Sequence, residues 1–196
     1  MSKSDCVSAN WQKEGFEVGF AGKRDSVREY IKRANICAKH GLGADLVAFE
    51  AGHERGIEKY CDIPNAVKLG ERGVRRAINE QICPEDDYPG FSSAFLAGYK
   101  LYDLRRQVSD IQYQIHLLQD RNYDYQRKRN NLKQRILAGN LTERSLRLAK
   151  RERRLLRREM NLINSDIFSY EQQLHEHQRA VDTYRDLLDI EYGEDR

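Results

Sequence analysis

The residues with the plainest covalent chemistry are four cysteines, Cys6, Cys37, Cys61 and Cys83. Their spacings contain no Cys-x-x-Cys, so a tetrahedral zinc site is disfavoured. Two disulfides are expected if the compartment is oxidising, and buried thiols if it is reducing. Of the five histidines, His175 and His177 lie two apart on a helix and cannot face one another as ligands. The other three are His40, His53 and His116. His53, with Glu54 and Cys61, is the one grouping that resembles a base and a nucleophile, and a thiol locked in a disulfide cannot attack. No phosphate loop, serine triad or carboxylate pair stands out. We therefore expect no catalytic site, no metal and no cofactor, and a protein that is not an enzyme.

The other chemically distinctive feature is charge. Between Arg121 and Arg158 there are 14 Lys and Arg against the three acids Asp124, Glu143 and Glu152, a local +11. The whole chain carries +3, so the remainder carries −8. The candidate anion-binding residues in this stretch are Arg127, Lys128, Arg129, Arg151, Arg153, Arg154, Arg157 and Arg158. A solvated face would need no partner, but like charges along a helix repel, and an anionic partner offsets that repulsion.

The elements that must position these residues fall into two halves. Eleven of the 13 glycines, all three prolines and all four cysteines lie at or before Gly98. Charged residues make up 33% of the chain and mean hydropathy is −0.83, polar for one compact globule and natural for a long exposed coil. No apolar run approaches a membrane span, and no signal peptide opens the chain. Its start reads as a cytosolic start or as a trimmed mature segment.

Residues 99–190 read as a coiled coil. Apolar residues alternate at three and four: Leu101, Leu104, Val108, Ile111, Ile115, Leu118, Tyr125, Leu132 and Ile136, with Asn122 and Arg129 at interrupted positions. The pattern resumes at Leu146 and Ala149 and continues through Arg153, Leu156, Met160, Ile163, Ile167, Tyr170, Leu174, His177, Val181, Tyr184 and Leu188. Such sustained heptads specify a narrow seam. Between the arms, Gly139 suits a helix terminus and Thr142 a cap. So short a connection makes the arms antiparallel, with the basic segment at their tip, residues 139–142.

Residues 1–98 read as a small domain of short helices: Trp11 to about Phe20, Ser26 to about His40, 44–61 and 65–83. Residues 191–196 read as an acidic tail. Glycines recur inside the helices at Gly15/Gly19, Gly52/Gly56 and Gly70/Gly73. They serve close backbone approach or, alternatively, a backbone surface facing a ligand. If the last three helices run down, up and down, Cys61 lies about 25 Å from both Cys37 and Cys83. A disulfide needs Cα atoms within about 7 Å. The expected pairs are then Cys37–Cys83 and Cys6–Cys61. The fold class is all-α: a disulfide-stapled helical domain followed by a long antiparallel coiled-coil hairpin.

The pattern Cys6, Trp11-x3-Gly15-x3-Gly19-x2-Gly22, Cys37, Gly52-x3-Gly56-x3-Tyr60-Cys61, Gly70-x2-Gly73, Cys83 and Phe95-x2-Gly98-Tyr99 resembles the bacterial envelope lipoproteins grouped as domain of unknown function 2799. The resemblance covers about residues 6–100. It implies a periplasmic, membrane-anchored setting in a Gram-negative envelope, with a lipidated cysteine upstream of this chain. Cys6 does not suit lipidation, because Lys3-Ser4-Asp5 lacks the small and apolar residues that usually precede such a site. It implies no activity. The expected function is that of a non-enzymatic envelope interaction protein presenting a basic tip to another envelope protein or to an anionic lipid or lipopolysaccharide surface. The alternative is a cytoplasmic nucleic-acid-binding hairpin. The exposed faces of a two-helix coil could recruit a second copy, although nothing in the sequence requires a homo-oligomer.

Overall fold

The structure, a computed structural model, describes residues 2–79 and 82–193. It is all-α, with no strand among the described residues. The helices are α1 (Lys3–Val7), α2 (Trp11–Phe20), α3 (Ser26–Ala38), α4 (Leu46–Tyr60), α5 (Ile63–Glu71), α6 (Arg76–Asn79), α7 (Tyr88–Leu137) and α8 (Glu143–Tyr192). The chain forms two compact units. One comprises residues 1–103 and 184–196, the other residues 104–183. Residues 194–196, half of the expected acidic tail, lie outside the described residues.

In the first unit, short polar side chains start the helices by accepting the amides that a helix leaves free. Asn10 accepts from the Lys13 amide, Asp25 from Arg28 and Asp45 from Ala48, at 2.9–3.0 Å. The glycines then let backbones touch. A Cβ on Gly15 would lie 1.9 Å from the Phe49 carbonyl oxygen, and one on Gly52 would lie 1.9 Å from that of Gln12. Gly19 and Gly56 meet in the same way, so α2 and α4 pack backbone to backbone. Gly70 of α5 repeats the arrangement with Gly98 of α7: a Cβ on either would lie 2.1 Å from a carbonyl oxygen of the other helix. These contacts support the close-approach reading. Gly73 departs from it: with φ +70° it stands beyond the end of α5, against the Tyr102 ring.

Two apolar clusters result. One gathers Trp11, Val18, Phe49, Cys6 and Cys37, and the other gathers Tyr60, Val67, Phe91, Phe95, Cys61 and Cys83. Each holds one disulfide, which corrects the expected pairing. Cys6 bonds Cys37 and Cys61 bonds Cys83, with Cα separations of 5.4 and 5.6 Å. The expectation failed because it took residues 65–83 as one helix. The chain turns at Gly73, and after α6 Cys83 comes back to Cys61. Cys6, on α1, lies against the last turn of α3, where Cys37 sits.

The arms α7 and α8 pack together as an antiparallel hairpin. Gly139, φ +72°, makes the left-handed turn between them, and Thr142 Oγ1 accepts the Ser145 amide to start α8. In the second unit, residues 104–183, every seam position expected from the heptads is buried or half-buried except Arg153, which is exposed. Asn122 Nδ2 donates to Asn164 Oδ1 across the arms at 2.7 Å, while the buried Asn122 Oδ1 has no partner.

Candidate anion-binding site

With the seam positions lettered a and d, the residues beside it fall on two flanks, one carrying e and b and the other carrying g and c. Near the loop end of the second unit, the e and b flank is cationic on both arms. Arg129, Asn130 and Lys133 of α7 face Arg153, Arg154 and Arg157 of α8 across a cleft of about 460 Å³. Its charged lining is four guanidinium groups and one ammonium, with no acid. Among the described residues, none of these five cations has a carboxylate within ion-pair distance. Arg129 is half-buried at its seam position and the other four are exposed.

The g and c flank differs. Its g positions carry both signs, Arg121, Lys128 and Arg135 on α7 and Glu152, Glu159 and Asp166 on α8. Outside them runs a row of exposed leucines spaced seven apart: Leu148, 57% exposed, Leu155, 48%, and Leu162, 61%. Unbalanced positive charge is therefore concentrated on one flank and on the outer ridges of the two arms.

Of the eight residues singled out from the sequence, Arg129, Arg153, Arg154 and Arg157 line the cleft. Arg127, Arg151 and Arg158 stand exposed at f, the position farthest from the seam. Lys128 lies on the other flank, with its Nζ 5.7 Å from the centre of the Tyr125 ring. Lys133 and Asn130 line the cleft without having been singled out. The register held the signal: Lys133 and Arg157 share position e, and Asn130 and Arg154 share position b.

The base–nucleophile grouping does not assemble. His53 is buried, and its Nε2 meets the Lys23 carbonyl oxygen at 2.6 Å, tying α4 to the loop after α2. Cys61 is held in its disulfide. No group of potential metal ligands occurs among the described residues, and no helix there is long and apolar enough to cross a membrane.

Fold and site together define a disulfide-stapled helical protein carrying a coiled-coil hairpin with a cationic cleft. Residues 10–100, just under half of the chain, match the family model described as "Protein of unknown function (DUF2799)", the family that the cysteine and glycine pattern resembles. No curated protein and no solved structure matches the chain.

Proposed function

We propose that the chain is a non-enzymatic interaction protein of the Gram-negative envelope, held at a membrane by a lipid anchor upstream of these residues, whose hairpin engages an anionic partner. The observation that carries this reading is the cleft, in which five cations converge with no carboxylate within ion-pair distance among the described residues. A partner's anions offset that mutual repulsion. Two formed disulfides favour an oxidising compartment and so the periplasm.

The test combines location and capture. A photoreactive residue placed at Asn130 should crosslink within the envelope fraction of the native cell. Replacing Arg153, Arg154 and Arg157 with glutamate changes the local charge by −6 and should abolish the crosslink. High salt should weaken it. A chain recovered from the cytoplasm in a nuclease-sensitive complex would instead establish the nucleic-acid-binding alternative.

A further inference from the structure

The cleft has a size, a chemistry and a position that narrow its ligand, and this step rests on the function proposed above. Its volume of about 460 Å³ falls within the range of small-molecule sites, roughly 300–1,000 Å³. Four of its five cations are arginines. A guanidinium is a planar fork whose paired N–H groups match two oxygens of one phosphate, which an ammonium cannot do. A phosphate monoester carries about 1.5 to 2 negative charges at neutral pH. One such group leaves about 3 to 3.5 of the cleft's five positive charges uncompensated, whereas two adjacent groups leave only about 1 to 2. Carboxylates, with one charge each, would have to crowd in numbers the volume does not favour.

The arrangement along the axis agrees. Arg129 and Lys133 on one arm, and Arg153 and Arg157 on the other, are each four residues apart, about 6 Å of rise. The cations therefore form two tiers, each with a contribution from both arms. No aromatic side chain lines the cleft, so it offers no platform for stacking bases. Arg151 and Arg158, on the outer ridge, share the local field but do not line the cleft.

We propose that this cleft is a binding site for a compound bearing two neighbouring phosphate groups, one held in each tier. The shared chemistry could be offered by a phosphorylated lipid headgroup or by a soluble polyphosphate.

Calorimetric titration of the full chain with inorganic pyrophosphate at near-physiological salt tests this. Saturable one-to-one binding is expected, with orthophosphate weaker by about ten-fold or more because it fills only one tier. Substituting R153Q with R157Q should weaken pyrophosphate by at least about ten-fold, and R151Q with R158Q should leave it within about two-fold. All four positions are exposed, so both variants should remain helical, which circular dichroism checks. Vesicles of phosphatidylcholine doped with a bisphosphorylated lipid separate the two sources. Vesicle binding released by pyrophosphate supports the headgroup, and pyrophosphate binding without vesicle binding supports the soluble compound. Equal responses to pyrophosphate, orthophosphate and sulfate overturn the proposal. So does equal weakening by both variant pairs, and so does tighter binding of a single-stranded oligonucleotide than of pyrophosphate. If glutamate substitution still abolishes the envelope crosslink in any of these cases, the functional reading stands and only the two-phosphate site falls.

Discussion

Glu29 is the most concentrated electrostatic junction in the first unit. Its carboxylate lies 2.5 Å from Lys32 Nζ, 3.2 Å from Lys23 Nζ and 3.3 Å from Arg33 Nη1, and Arg33 reaches on to Glu14 at 3.2 Å. The Lys32 ammonium, with Lys23 and Arg33 behind it, holds the carboxyl down at about 2, although burial pushes the other way. In the unfolded chain the group titrates near its ordinary value of 4.5. As pH falls below 4.5 the unfolded state takes up the proton first, so folding stability drops. The loss is complete once the folded group is protonated near pH 2. Urea unfolding across this window should show wild type losing roughly 1–2 kcal/mol that Glu29→Gln does not lose. An identical acid limb in the two proteins would mean the cluster contributes nothing to the fold.

At the scale of elements, the hairpin shows what periodicity can carry. Its register and the place of its turn were legible because every heptad repeats the same constraint, so one polar interruption does not erase the pattern. Arg153 left the seam because a long cationic side chain at an arm's end can swing into water at little cost. Asn122 stayed, and its orphaned Oδ1 is a local penalty. Asn122→Leu should therefore raise the thermal midpoint, with a gain on the order of 1 kcal/mol. A fall would show that the bond to Asn164 aligns the arms. The first unit was less legible. Its helix starts were legible at 11, 26 and 44, within two residues of the observed ones, which Asn10, Asp25 and Asp45 cap by local chemistry. The break at Gly73 was not, because glycine there had two uses: Gly70, three residues earlier, serves close packing, while Gly73 ends a helix. That ambiguity carried through to the disulfide pairing. In the cleft, charge density led to four of the six lining residues, and Lys133 and Asn130 needed the partner arm's register.

For the whole molecule, the informative feature is the path of the chain. The first unit is built from residues 1–103 and from 184–196, so the second is an insertion that leaves at Asp103 and returns at Tyr184. The return is anchored inside the first unit: Tyr184 Oη donates to the Ala97 carbonyl at 3.1 Å, Lys100 Nζ lies 4.6 Å from the Tyr184 ring centre, and Leu188 is 1% exposed. What separates exit from return is a coil that repeats every seven residues. Its length is therefore a heritable variable that changes in discrete steps: one heptad lost from each arm shortens it by about 10 Å and restores the seam. Deleting 105–111 together with 170–176 spares the cleft and the Asn122–Asn164 bond. The product should keep a single cooperative unfolding transition with both disulfides formed, whereas deleting 105–111 alone should put the arms out of step and broaden it. Duplication or loss of such paired heptads is thus a way to retune the length of the coil while leaving residues 10–100 and the cationic cleft unchanged.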